Sequence, residues 1–385
     1  MRYIRTSAYR SNRHTSLPAT LTAISAILLA GPASAEVYQS AKADFRLVTV
    51  AEGLEHPWSI AFLPDGSQLV TERSGRIRLI TDGELAASPV ANAPEAAAQG
   101  QGGMLDILLH PEFGQNNILF VSYAHRNREG LTTRVDRAQY RDGALHDRKT
   151  IFEAEPRSSN GRHFAGRMVI PGDGYLYVAV GDRGDMDRAQ DFGDDAAAVH
   201  RITIDGKVPD SNPFVDRDDA RPTLFTKGNR NIQGMTLHPD TGAVWSHEHG
   251  PRGGDEINII EAGVNYGWPK ITYGIDYSGA RITDKTEMEG MAQPLHYWDP
   301  SIAPSGMAFY TGDAFPQWQG DLFVGALRSQ KLVRLTIDDE EVQGEEDLLT
   351  GYGERLRDVR MGPDGVLWLL TDSANGKVVQ LVPAE

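Results

Sequence analysis

Residues 224–269, LFTKGNRNIQGMTLHPDTGAVWSHEHGPRGGDEINIIEAGVNYGWP, bring an Arg230-Asn231 pair, a Gly250-Pro251 turn and the adjacent acids Asp255 and Glu256 into one short stretch. A guanidinium beside an amide can hold an anionic ligand, and carbonyls and carboxylates close by can hold a hard cation, so the stretch reads as part of a cofactor cradle. The same Arg-Asn pair can also brace a surface loop. Arg355 and Arg357 stand two residues apart; on a strand they share a face and both can reach one anionic ligand, although a solvated edge strand uses arginines in the same way. His163 offers an imidazole that is neutral near physiological pH and can take a proton from a hydroxyl, or it can be a structural histidine. In His247-Glu248-His249 two imidazoles on one strand face could hold zinc, but no third nitrogen or sulfur ligand lies nearby in sequence, which favours scaffold or pocket wall.

Those residues need a frame, and the punctuation of the chain supplies one. Turns at Leu63-Pro64-Asp65-Gly66, His110-Pro111-Glu112, Pro171-Gly172-Asp173-Gly174, His238-Pro239-Asp240 and Gly362-Pro363-Asp364-Gly365 each precede a short apolar run rich in β-formers, such as Leu176–Val180 and Val366–Leu370. Several runs are followed by another turn and a closing strand, as at Gly75–Ile80 and Gly376–Leu381. A strand, turn, strand unit that recurs with variable loops predicts an all-β, six-bladed β-propeller, sealed by a first strand around Arg46–Val50 completing the last blade. A β-sandwich would supply the strands but not the repeated unit.

Arg2, Arg5, Arg10 and Arg13 precede an apolar stretch, Leu21–Ala30, and then Ala33-Ser34-Ala35, the layout of a secretory signal cleaved after Ala35. The stretch is shorter than the roughly 20 residues that span a bilayer, so no membrane anchor is expected. The expected organisation is a signal peptide, residues 1–35, followed by a single propeller domain, residues 36–385, with the periplasm as its address. Losing four of the 38 basic residues leaves 34 against 53 acidic ones, a mature charge of about −19. That balance excludes a nucleic-acid partner, which would need a basic face. The absence of cysteine in an exported chain means that packing, and metal if present, must hold the fold without disulfides.

The strings Gln101-Gly102-Gly103-Met104-Leu105 with His110-Pro111-Glu112-Phe113, Arg162-His163-Phe164-Ala165-Gly166-Arg167, Gly228-Asn229-Arg230-Asn231-Ile232-Gln233-Gly234, and Gly250-Pro251 with Asp255-Glu256-Ile257-Asn258 resemble the soluble PQQ-dependent aldose sugar dehydrogenases of the glucose/sorbosone dehydrogenase family. The likeness runs from about Gly53 to Asp372; each motif is short, and jointly they are specific.

The resemblance implies PQQ and calcium as cofactors, a small sugar as substrate, an external electron acceptor, and oxidation of an aldose at its anomeric carbon to a lactone. It implies His163 as general base with Asp182 orienting it, and Gln101 touching both substrate and cofactor. It further implies Arg230, Asn231, Tyr277, Arg328, Ser329, Gln330, Arg355, Leu356 and Arg357 around PQQ, with Trp298 as a further flat surface. Arg328 departs from the lysine of the glucose-oxidising members. The Gly250-Pro251 carbonyls would hold the calcium that also holds PQQ, and Asp255, Glu256 and the Tyr266 carbonyl a second, structural calcium. Two other classes remain open from the residues: a calcium-dependent lactonase on a propeller, which gives the arginines no task, and a non-enzymatic propeller binding module, which needs no base.

Overall fold

A computed structural model describes Ser7, Ala8, Arg10 and residues 36–384; apart from those three residues, the segment expected to be a signal peptide, up to its expected cleavage point at Ala35, lies outside the described residues. Residues 36–384 form six antiparallel sheets. The first runs through Pro57–Phe62, Gln68–Glu72, Arg76–Thr81 and Glu84–Leu85; the second through Met104–Leu109, Ile118–Asn127, Gly130–Arg141 and Ala144–Glu153. The third has three strands, Met168–Val169, Leu176–Val180 and Ala198–Ile202. The fourth contains Ile232–Leu237, Val244–Glu248, Asp255–Ile259 and His296–Trp298, and the fifth Pro304–Phe309, Leu322–Ala326, Leu332–Asp338 and Glu341–Leu348. The sixth combines Leu356–Met361, Leu367–Thr371 and Gly376–Pro383 with Phe45–Leu54 and Val37–Tyr38 from the start of the described domain.

The first strand of each sheet touches the first strands of the sheets before and after it, and the sixth touches the first, so six blades close around one axis. Phe45–Leu54 pairs with Gly376–Pro383, with Arg46 opposite Val382 and Val48 opposite Gln380. This is the seal expected from the sequence, and it leaves the ring without an open edge at the join.

The continuous apolar strands follow from this closure. Side chains alternate between the faces of a strand, and a blade has a neighbour on both faces, so both sets must be apolar. In the sixth blade Leu367 and Leu369 pack toward the fifth, while Trp368 and Leu370 pack toward the first. Each of the six junctions between successive blades is filled by its own buried cluster. The core is therefore distributed around the ring, and the axis is left to polar groups. There Arg167 pairs with Asp106 and Asp358, Arg360 pairs with the same two acids, and all four side chains are largely buried. This ion cluster ties together inner segments of the second, third and sixth blades; among the described residues no helix is long and apolar enough to cross a membrane.

Candidate active site

Two cavities meet at Gln101. The larger, about 440 Å³, is lined by His163, Asp182, Arg230, Pro251, Trp268 and Tyr277 among others. The smaller, about 260 Å³, is lined by Trp58, Arg73, Gln101, Asn231, Gln233, His249, Leu327, Arg355 and Arg357, with Ala303 completing the wall.

His163 has a left-handed backbone, φ 50°, in the loop before the short first strand of the third blade. That bend is possible because Gly181 packs under it: a Cβ on Gly181 would lie 2.2 Å from the His163 carbonyl oxygen. His163 Nδ1 stands 2.6 Å from Asp182 Oδ1, and its backbone N–H donates to Gln101 Oε1 at 2.8 Å. Asp182 also accepts from the Gly184 N–H at 2.7 Å and, on its other oxygen, from the Trp268 indole N–H at 2.9 Å. Burial pushes the His163 pKa down, against the upward pull of Asp182, and Arg230 and Arg183 reinforce the lowering. Burial pulls the Asp182 carboxyl up, but the hydrogen bond and charge of His163, with Arg230 and Gly184, leave it below the usual carboxylate range. The pair therefore favours an ionised carboxylate that receives the Nδ1 proton, which leaves Nε2 as the basic nitrogen.

The Arg230-Asn231 turn is held by a residue that sequence reasoning left as scaffold: the buried Glu248 carboxylate accepts both backbone N–H groups, from Arg230 and, at 3.2 Å, from Asn231. Arg230 Nη1 donates to the carbonyls of His249 (2.8 Å) and Gly250 (3.0 Å), its guanidinium lies 5.2 Å from the Trp268 ring, and its buried Nε has no partner. Asn231 Oδ1 accepts from the Ala165 N–H at 3.2 Å and the Gln233 amide at 3.3 Å. Arg357 donates to Gln233 Oε1 at 3.3 Å and to Asp372 at 2.9 Å, and Arg355 joins the same Asp372 oxygen at 3.4 Å. Both arginines face the smaller cavity, as their spacing on a strand implies.

The structure thus brings together Gln101, His163, Asp182, Arg230, Asn231, Pro251, Tyr277, Arg355 and Arg357. Other expected residues stand elsewhere. Arg328, Ser329 and Gln330 are exposed, one step beyond the wall that Leu327 supplies. Leu356 puts its side chain into the core between the fifth and sixth blades and its carbonyl onto Ser305. Trp298 is buried between the fourth and fifth blades and donates to Glu345, because its strand position faces the neighbouring blade rather than a cavity. Asp255 is saturated: its two oxygens accept from the Gly250 N–H, the Ser301 hydroxyl and the N–H groups of Ile302 and Ala303.

Glu256 and Tyr266 do share a small void of about 10 Å³ with Glu248 and Gly250. Burial, with the charge of Glu248, pushes Glu256 well above the usual range, and burial also raises Glu248 against the pull of the Arg230 and Asn231 N–H groups. His249 lines the smaller cavity and its Nε2 lies 2.6 Å from the Pro304 carbonyl, while His247 is buried against Gly234. His249 thus stands in the cavity wall with Nε2 at a carbonyl, and His247 packs inside the fourth blade.

Sequence reasoning missed Trp58, Arg73, Gln233, Glu248 and Trp268. Gln233 and Trp268 stand inside motifs already singled out; Arg73 lies in the Glu72–Gly75 turn with no local signal, and only ring closure carries it to the sixth blade's arginines.

The family model described as Glucose / Sorbosone dehydrogenase matches residues 54–380. Aldose sugar dehydrogenase YliI of Escherichia coli (strain K12) is 41% identical over 350 residues, covering 89% of this chain and 94% of the relative. The crystal structure of the soluble aldose sugar dehydrogenase from Escherichia coli in the apo-form has a TM-score of 0.86 to this chain at 40% identity, covering 88% of this chain and 100% of that one. The PQQ-bound form of aldose sugar dehydrogenase from Streptomyces coelicolor has a TM-score of 0.72 at 25% identity, covering 89% and 100%. A match that begins at the end of the sealing strand and ends in the strand paired with it spans all six blades, and the chain therefore belongs to the glucose/sorbosone dehydrogenase family.

Proposed function

We propose that the protein oxidises aldose sugars at the anomeric carbon to lactones, with PQQ and calcium as cofactors and an external electron acceptor. The observation that carries this reading is the smaller cavity: Arg73, Arg355 and Arg357 line it, and no carboxylate does, in a chain of formal charge −15. Such a wall fits a flat polycarboxylate such as PQQ, with Asn231, Gln101 and Gln233 as amide partners and Trp58 as a flat neighbour. The unpartnered Arg230 Nε is a further buried donor beside the histidine cavity. For calcium, Glu256, Glu248 and Tyr266 line one small void, and Glu256 with the Tyr266 carbonyl would offer oxygen ligands there to a divalent cation. Pro251 lines the larger cavity, and the Gly250-Pro251 carbonyls would hold the calcium that also holds PQQ, although Arg230 already donates to that of Gly250.

PQQ, when bound, would supply a quinone that accepts the two electrons removed from the sugar. His163 would hold the sugar hydroxyl and take its proton at Nε2 as hydride leaves the anomeric carbon. Asp182, kept ionised, would stabilise the imidazolium that results, and Gly184 and Trp268 would keep its oxygens from turning away. Gln101, common to both cavities, would orient the sugar and fix the His163 backbone at once. A lactonase would leave the three arginines without a task.

The test is reduction of an artificial acceptor by the purified protein with an aldose panel, with and without added PQQ and calcium. Activity should require both and fall by about 10²–10⁴-fold in His163→Ala. Absence of PQQ-dependent turnover on every sugar would move the assignment to the lactonase or the binding module. We also propose that residues 1–35 direct export to the periplasm; amino-terminal sequencing of the exported protein should begin at Glu36.

A further inference from the structure

Among the described residues, large apolar side chains are exposed at six positions, and four of these, Ile275, Tyr277, Leu295 and Tyr297, fall between the third and fourth strands of the fourth blade or at the start of that fourth strand. Clustered exposure of this kind marks a contact surface, because single exposed apolar residues scatter. The Pro251–Gly254 turn ties the cluster together. The Arg252 N–H donates to the Ile275 carbonyl at 3.1 Å, and the Gly254 N–H to the Trp298 carbonyl at 2.8 Å. A Cβ on Gly254 would lie 2.6 Å from the Gly274 nitrogen, so the two segments approach backbone to backbone. Across this turn the rings of Tyr273 and Tyr297 stack with centroids 3.9 Å apart and planes 10° from parallel. The ledge is continuous with the site, since Tyr277, 66% exposed, also lines the cavity that holds His163.

We propose that Tyr273, Ile275, Tyr277, Leu295 and Tyr297 form a ledge that binds the distal units of a reducing-end oligosaccharide while its terminal ring occupies the His163 cavity. The inference rests on the sugar-oxidising reading, and chemistry sets the direction. The carbon to be oxidised is the reducing-end carbon, so it must lie at His163. Further units are attached through the other hydroxyls of that ring and leave by the mouth, past Tyr277. Sugar rings present apolar C–H faces and polar edges; aromatic and aliphatic side chains match the faces, and the exposed Arg252 and Gln293 stand beside the ledge to meet hydroxyls.

The experiment compares kcat/KM for glucose and for maltose and cellobiose series of two to four units, at saturating small-molecule acceptor, in wild type, Tyr297→Ala and Ile275→Ser. Calorimetric binding of maltotetraose and cellotetraose to the cofactor-free proteins is measured alongside. In at least one series the variants should lose about fivefold or more in kcat/KM on the longer sugars, with glucose unchanged and unfolding temperatures preserved, and tetrasaccharide binding should weaken in parallel. Equal effects on glucose and tetrasaccharide, or no effect in either series, would overturn the ledge while leaving the dehydrogenase intact. A change confined to the KM of the electron acceptor would also overturn it, assigning the surface to the acceptor. If no sugar is turned over at all, the parent reading fails, and the calorimetry alone decides the ledge.

Discussion

His163 is a base only because several groups that are distant in sequence agree on its proton. Asp182 pulls its pKa up, burial pulls it down, Arg230 and Arg183 oppose its charge, and burial with the pull of nearby cations keeps His249 neutral, down at about 3. Trp268 enters through Asp182: its indole N–H withdraws charge from the carboxylate oxygen that does not face the histidine. In Trp268→Phe that charge returns to the Asp182–His163 bond, and the imidazolium becomes easier to form. The low-pH limb of the kcat/KM profile, which reports loss of the neutral imidazole, should therefore move to higher pH, by about half a unit for one hydrogen bond of modest net strength. A fall in kcat with the limb in place would leave Trp268 as cavity wall alone. Arg183 acts on the same loop, donating to the carbonyls of Arg162 and, at 2.7 Å, Asn160, with its guanidinium 3.4 Å above the Phe164 ring.

At the scale of the strand, the seal between Phe45–Leu54 and Gly376–Pro383 decides whether the sixth blade is complete. Phe45 anchors it: fully buried, with its ring 5.7 Å from Trp318 and 5.6 Å from Tyr38. Phe45→Ala should cost about 3–5 kcal/mol, as buried aromatic truncations do, seen as a shift of the denaturation midpoint. It should leave the His163 cavity unchanged, since that cavity is built from loops of the second, third and fourth blades, away from the seal. A variant that unfolds at the wild-type midpoint would show that the seal contributes little. The same logic explains which sequence expectations carried through. Arg357, in the strand Leu356–Met361, and Arg355, just before it, both line the smaller cavity, whereas Leu356 between them faces the neighbouring blade. The expectation that Leu356 would join them around PQQ fails for that reason, since side chains alternate along a strand. The period says nothing of how far a loop reaches, and Arg328, Ser329 and Gln330 follow the residue that forms the wall.

Over the whole molecule, an acidic chain with a sequence pI near 5.2 encloses a cavity of arginines. The acidic exterior should steer acceptors by their sign, because long-range attraction is screened over roughly 8–10 Å at 0.1–0.15 M salt. Raising salt should lower the rate with a cationic acceptor and raise it with ferricyanide, read as opposite slopes of the acceptor kcat/KM against ionic strength. Equal slopes would mean that acceptors meet a locally neutral face.

The sequence by itself determined the repeated strand units and the sealing strand, because turns and strand period are local properties, and its short motifs pointed through the family resemblance to the histidine, its aspartate and the paired arginines. Only the tertiary structure decided which of these residues face a common space. Closing six blades put Arg73 of the first blade beside Arg355 and Arg357 of the sixth, and brought the Trp268 indole of the fourth to Asp182 of the third. It also used all of Asp255's capacity on neighbouring backbone and hid Trp298 between blades. These outcomes depend on contacts between blades, and the sequence of one blade does not contain the surface of the next.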